Sequence, residues 1–261
     1  MMSGAVTDEM RYIFDLQGYL VIPGLLGSAQ VARMQAALTS LDGGDDISKP
    51  QNDPGQSRFQ FLHLGQDFHG LIDHPRVFPL LQELIGPKLR LDHAYGMAMS
   101  TAGEAGGEGM HHGGTTFAHG CYYVNHGQQM HNGLLVVSWA LCDVPAGAGG
   151  FCCVPGSHKQ LFPTPPSLGS ISAARNGRTS LVVQPELLAG DCLIFSEALR
   201  HGTMEWKEPR WDRKSLLLKY CPHYMAFSQH PINTDAMNVD ELSERQAMLL
   251  EQAYVWERPS L

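Results

Sequence analysis

From about residue 88 to residue 224 the chain is a succession of short apolar runs broken by glycine and proline. This pattern limits the fold more than any other feature. The runs are Leu89 to Met99, Gly133 to Val144, Phe151 to Pro155, Ser180 to Gln184, Asp191 to Ser196 and Ser215 to Tyr220. Breaks rich in glycine and proline lie at 146–150, 163–169 and 189–190. Short strands of this kind, separated by turn residues, predict an all-β sandwich or barrel.

The flanks read differently. Ser28 can cap a helix in which Val31, Met34, Leu38 and Leu41 recur every three or four residues. Pro75 suits a first helical position ahead of Phe78, Leu81, Leu84 and a closing Gly86. Asn238 with Glu241 resembles a capping box before Leu242, Met248 and Leu249. Residues 43–57 are rich in Gly, Asp, Asn and Pro and read as a long loop, an active-site flap. The sequence thus predicts one domain over 1–261. A helical flank spans about 1–87, a β core about 88–224 and a C-terminal helix about 238–253.

Composition narrows the function classes. A formal charge of −8 and no cluster of Lys and Arg speak against a nucleic-acid polymer as partner. No apolar run reaches the roughly 18 to 20 residues of a membrane span. The segment Met1 to Asp15 has no basic stretch followed by an apolar one, so no secretory signal is expected. The six cysteines, at 121, 142, 152, 153, 192 and 221, have no CxxC spacing. They read as buried, reduced thiols of a cytoplasmic protein. The oligomeric state is open.

Three residues carry chemistry in a meaningful order. His112 sits in Met110-His111-His112-Gly113-Gly114, His201 follows the strand around Ile194, and Arg213 opens the next one. A lone histidine among glycines is more often structural, and an arginine at a strand start is usually solvated. Together, in an all-β region, they fit a non-haem iron(II) site: imidazoles from separate strands leave coordination positions open. A guanidinium can then grip the distal carboxylate of 2-oxoglutarate.

Several stretches give the chain a nameable resemblance. They are Phe14 to Gly24, Val137-Ser138-Trp139-Ala140-Leu141-Cys142-Asp143-Val144, Gly149-Gly150-Phe151-Cys152-Cys153-Val154-Pro155-Gly156-Ser157-His158-Lys159, Gly190-Asp191 through His201-Gly202-Thr203, and Arg213-Lys214-Ser215. Over about residues 10 to 224 the chain resembles the phytanoyl-CoA dioxygenase family of iron(II)/2-oxoglutarate oxygenases. The resemblance implies a mainly β, cupin-like double-stranded β-helix (a jelly roll) with flanking α-helices. It implies Fe(II), 2-oxoglutarate and O2 as cofactors and a small-molecule substrate. It makes His201 the distal metal histidine and His112 the proximal one, with His111 as the alternative. Arg213 is the 2-oxoglutarate anchor, with Arg210 a weaker candidate. Thr203 lies near the co-substrate carboxylate. Trp139 is either a wall of that pocket or plain core. Ser157 and His158 are expected to form a structural turn.

The chain departs from the family at the proximal motif. Most members carry an acid two residues after the histidine. Here Gly114 follows His112, and Gly113 follows His111 at the same distance. Three readings stay open. The position takes a halide such as chloride, as in halogenases of similar pattern. It takes water or a carboxylate from elsewhere, for which Asp92 is one donor, giving a hydroxylase. Or the site has lost oxygenase activity. The rival outside the oxygenases is a zinc or iron jelly-roll binding protein or isomerase, although zinc normally asks for three protein ligands. His63, His69, His119, His126 and His131 are weaker pocket candidates, and surface placement is the commoner outcome for each.

Overall fold

Leu135, Val137 and Trp139 pack with one group of buried residues, whereas Val136 and Ala140 pack with another. That alternation is the period-two signature of a strand buried on both faces. It places this strand at the centre of a sheet with a layer on either side. A computed structural model describes residues 5–39, 56–101, 106–107, 109–113, 120–175, 180–230 and 232–261. Its helices and strands run in the order α1 Asp8–Gln17, β1 Tyr19–Ile22, α2 Ser28–Thr39, β2 Gln56–Phe59, α3 Gln66–His69, α4 Phe78–Ile85 and β3 Leu89–Met99. They continue with β4 Met110–His111, β5 Tyr123–His126, β6 Gln129–Asn132, β7 Leu135–Ala140, β8 Gly150–Cys153, α5 Ile171–Arg175, β9 Cys192–Ser196, β10 His201–Met204, β11 Arg213–Pro222 and α6 Glu244–Leu249.

The strands form a six-stranded sheet in the order β1-β9-β7-β11-β3-β2, a three-stranded sheet β4-β10-β8, and the hairpin β5-β6. All of the pairings are antiparallel. This is the expected mainly β jelly roll. The outer face of the large sheet carries Leu91, Val137, Ile194 and Leu218, which join Met34 of α2 and Leu81 of α4 in the main core. The inner face carries Met97, Val136, Phe195 and Leu217, which pack with Phe151 and Cys153 of the small sheet. Among the described residues no helix is long and apolar enough to cross a membrane.

Several expected boundaries move. Helix α4 starts at Phe78, with Pro79 rather than Pro75 in its first turn, and ends at Gly86 as expected. The capping box before α6 is Ser243 with Gln246, not Asn238 with Glu241. Those two bond each other directly, and a 3-10 turn at Val239–Glu241 precedes the helix. The run Ser180 to Gln184 is not a strand; Val183 makes one isolated bridge to Cys153. Helix α2 follows the predicted Val31, Met34 and Leu38 periodicity, while Leu41 lies outside the described residues. All six cysteines are buried free thiols. Of the proposed flap, 43–55 lies outside the described residues; Gln56 and Ser57 begin β2.

Candidate active site

The inner face of the large sheet and the small sheet enclose a cavity of about 590 Å³. Its wall includes His93, Tyr95, Ser138, Arg213 and Lys219 from the large sheet and His111, His201 and Thr203 from the small one. A break in register aims the β3 residues. Lys219 faces His93 and Tyr220 faces Leu91, so Asp92 is the extra residue of a β-bulge. Before the bulge, Leu89 and Leu91 face the helical side of the core. After it, His93, Tyr95 and Met97 face the cavity.

Asp92 itself is buried and fully engaged. It accepts from Arg90 at 2.8 Å, from His93 Nδ1 at 2.6 Å, and from the backbone N–H groups of Phe227 and Ser228 at 2.9 Å each. Burial works to raise its pKa; His93 and the two amides outweigh that and hold it below the usual carboxylate range. Asp92 was one open donor for the vacant position; its lone pairs go instead to Arg90, the His93 ring and two backbone amides, which hold the bulge together.

The histidines converge. His201 and His111 are direct partners across β10 and β4, with ring centroids 4.1 Å apart. The His112 ring lies 4.8 Å from His111 and 5.8 Å from His201. In an extended strand, neighbouring side chains point to opposite faces. Here the chain leaves the strand at His112, which adopts φ 59, in the left-handed region. That turn swings the His112 ring back toward the cluster. It is pinned by Gly113 N–H donating to the Ala198 carbonyl at 3.1 Å and by Arg200 donating to the His112 carbonyl at 3.3 Å. The halves bearing His112 and His201 therefore hold each other.

Glu197, which belongs to no sequence motif, joins them. It is buried in the turn after β9, four residues before His201, and one oxygen lies 3.3 Å from His112 Nε2 and 3.8 Å from His201 Nε2. Ligand atoms of His111, His112 and Glu197 all lie within 4.8 Å of one another. The other Glu197 oxygen accepts from Lys219 of β11. Burial works to raise the Glu197 carboxyl; the Lys219 ammonium and the two imidazoles hold it well below its usual range. His201 Nδ1–H donates to the Leu199 carbonyl at 2.6 Å, which leaves Nε2 with its lone pair toward the cluster. Burial pushes the His201 pKa down to about 3, so the ring is neutral and able to ligate. A signal for Glu197 existed. It is an acid in a wholly buried stretch, 191–199, with Lys219 as an unexplained base in the apolar core strand Leu216-Leu217-Leu218-Lys219-Tyr220.

Arg213 opens β11 with only 6% exposure. Its guanidinium touches the sulfurs of Met99 at 3.4 Å and Met97 at 3.8 Å, and its Nε is buried without a hydrogen-bond partner. Two residues on, Ser215 Oγ is likewise buried without a partner. Arg210, the weaker candidate, is exposed, ion-paired to Glu208 at 2.7 Å, and stacked on Trp211, which removes it from the cavity. Thr203 borders the cavity. Trp139 does not wall the pocket. It faces the outer core, edge-on to His74 at 5.1 Å, and its strand neighbour Ser138 takes the inward position.

Ser157 and His158 form the expected structural turn. Ser157 Oγ donates to the Val154 carbonyl and accepts from Arg200 N–H, and His158 Nε2 donates to the Asp15 carbonyl. His69 is buried, with Nε2 donating to the Leu62 carbonyl at 2.8 Å. His63 borders an adjoining cavity of about 440 Å³. His126 and His131 lie on the β5-β6 hairpin and do not line the cavity. Gly114 and His119 lie outside the described residues.

With this geometry, sequence comparison is decisive. The family model described as phytanoyl-CoA dioxygenase (PhyH) matches residues 14–213. The chain belongs to the phytanoyl-CoA dioxygenase family. Solved structures of similar fold include HygX from Streptomyces hygroscopicus with nickel and 2-oxoglutarate bound. It is 25% identical, with 86% of this chain and 90% of that chain covered and a TM-score of 0.71. HygX has also been solved with iron bound. SnoN, a non-heme alpha ketoglutarate dependent epimerase from nogalamycin biosynthesis, shares the fold at 24% identity, 83% coverage of each chain and a TM-score of 0.60. EctD from S. alaskensis does so at 19% identity, covering 84% of this chain and 78% of its own, with a TM-score of 0.61. No curated protein matches the sequence. This family member is an enzyme of the iron/2-oxoglutarate-dependent class.

Proposed function

We propose that this enzyme uses iron(II), 2-oxoglutarate and dioxygen to oxidise a C–H bond of a small molecule. The observation that carries this reading is the pairing of two features in one cavity. One is the histidine cluster, of which His111 and His201 line the cavity beside Glu197 while His112 reaches Glu197 from behind them. The other is Arg213, a buried guanidinium with no acidic partner among the described residues. A buried cation without a counter-charge is costly unless an anion completes it. A dicarboxylate that reaches the histidine cluster with one end fits that demand.

The donor chemistry fits iron. Neutral imidazoles suit a divalent ion of this type, and His201 already has its Nδ1 committed and its Nε2 available. His112 and His201 would hold the ion, and His111, edge-on to His201, would support that ring. When bound, the iron would supply oxygen activation coupled to oxidative decarboxylation of 2-oxoglutarate. The chain's own groups do the rest. Arg213 binds the distal carboxylate in a bidentate manner, and Ser215 Oγ offers a further donor on the same strand. Thr203 lines the co-substrate side. Met97 and Met99 keep water from the guanidinium, which strengthens its hold on a carboxylate. His93, Tyr95 and Phe227 line the remaining space, which is large enough for a small-molecule substrate.

Halogenation is the second reading, and the glycines that follow the proximal histidines favour it. A zinc-binding module or isomerase fits less well, because it leaves Arg213 without a purpose. Calorimetric titration of 2-oxoglutarate into nickel-loaded protein tests the main reading. One equivalent should bind, weakly without metal and weakly in Arg213→Ala. Affinity that ignores both metal and Arg213 would contradict it.

A further inference from the structure

We infer that Glu197 is the third protein ligand of the metal and supplies from the distal side the carboxylate that the proximal motif lacks. This inference rests on the proposed iron site and names its missing member.

Gly113, two residues after His111, has a backbone reason that disfavours an acid there. Gly113 has φ +103, and a Cβ on it would lie 3.0 Å from Arg200 Cβ. Its N–H is tied to Ala198, so it has no room to retreat. If His111 is the ligand, the position that carries the acid in most relatives is thus occupied by a glycine the turn requires. If His112 is the ligand, that position is Gly114, which has no side-chain donor either, so in both cases the carboxylate must come from another element.

Glu197 has the placement for it. It stands in the turn joining β9 to the distal histidine, and that turn is bonded to the chain at His112 and Gly113. One oxygen is occupied by Lys219. The other faces His112 Nε2 at 3.3 Å and His201 Nε2 at 3.8 Å. Donor atoms each about 2.1 Å from one ion lie roughly 3 to 4 Å apart, depending on the angle between them. Both separations from Glu197 fall in that interval, and among the described residues the donor atoms that all lie within 4.8 Å of one another are those of His111, His112 and Glu197.

The His201 contact has a further meaning. Nδ1 of His201 carries the proton given to Leu199, so Nε2 presents a lone pair. Glu197 presents lone pairs as well. Two acceptors face each other in a buried site only when a cation or proton lies between them. Lys219 is already engaged with the opposite oxygen and does not fill that gap.

The assignment bears on reaction type. With Glu197 bound, the ion has its two histidines and one carboxylate from the protein, the ligand set of an oxygenase, and no protein-side position is left for a halide. Glycine in the proximal motif then marks a relocated ligand rather than a lost one.

The test is Mn(II) binding, followed by the loss of the free-ion EPR signal, in the presence of 2-oxoglutarate. Wild type, His201→Ala, Glu197→Gln and Glu197→Gln/Lys219→Met are compared. The double variant removes both charges, so that a buried, unpaired Lys219 does not unfold the protein. Wild type should bind one Mn(II), and His201→Ala should not. Both Glu197 variants should lose roughly 100-fold in affinity or more, since even outer partners of a metal ligand are worth about 10- to 100-fold. Wild-type affinity in the folded double variant, with His201→Ala still defective, would overturn Glu197 and leave the iron site standing. Failure of wild type to bind Mn(II) would overturn both.

Discussion

Arg213 and Gly150 pack so closely that a Cβ on Gly150 would lie 2.7 Å from the guanidinium Nε. Gly150 has φ +81, so any side chain there meets backbone strain as well as a clash. Gly150 is thus a seat for the Arg213 guanidinium, whereas Gly149 packs against the backbone at Met204 and Glu205. Gly150→Ala should tilt the guanidinium and weaken 2-oxoglutarate binding about tenfold, with about 1 to 3 kcal/mol lost from stability through overpacking. Unchanged affinity by calorimetry would show that the guanidinium does not need this seat.

Arg213 should trade stability for binding. In the free protein it is a buried cation held by two thioethers, which do not balance its charge. Arg213→Met should weaken 2-oxoglutarate roughly 30- to 100-fold, the worth of a charge-assisted bond pair. The same change should stabilise the ligand-free protein in a urea melt, because a buried cation has gone. Arg210→Ala should leave both quantities at their wild-type values, since the guanidinium that pairs with Glu208 is exposed.

Asp92 separates structure from metal binding. Removing one partner of a buried, hydrogen-bonded pair costs about 3 to 5 kcal/mol. Asp92→Asn keeps the volume and should fall at the low end, about 3 kcal/mol. Nickel stoichiometry in the folded variant should equal that of wild type. Metal loss from folded Asp92→Asn would return Asp92 to the ligand set.

The fold was largely legible because buried strands announce themselves. Leu89 to Met99 forms a strand over that whole range, and β9 and β11 fall within a few residues of their apolar runs. Ser180 to Gln184 failed because a short apolar run carries no record of whether a partner strand is at hand. His201 stood out by its place just after the strand around Ile194, and Arg213 by its place at the entrance of the next. Glu197 left only a faint trace, because its approach to His112 depends on a left-handed turn at His112 that brings two distant segments together. Trp139 was ambiguous for a related reason. Which face of a doubly buried strand looks inward is set by the neighbouring layers, and Ser138 rather than Trp139 takes the inner side. At β3 a single bulge residue reverses that parity, and the bare sequence does not signal it.

The His158 environment gives a pH dependence away from the metal. Burial, then the neighbouring Lys159 charge, push its pKa down to about 4. The unfolded value is about 6.5. Above that, both states are neutral and nothing is lost. As pH falls below it, the unfolded chain takes up a proton that the folded one refuses, so stability falls until about pH 4. The loss attributable to this group approaches about 3 kcal/mol. His158→Gln should flatten the stability profile between pH 6.5 and 4 by that amount. An identical slope in wild type and variant would show that the buried ring is not the titrating group.

The iron and 2-oxoglutarate assignment is tested most directly by adding 2-oxoglutarate to the iron(II)-loaded protein without oxygen and recording the visible spectrum. A weak absorption band should appear at one equivalent in wild type and be absent from His201→Ala. A wild-type protein that retains iron yet gives no band, or a band that persists undiminished in His201→Ala, would contradict the account.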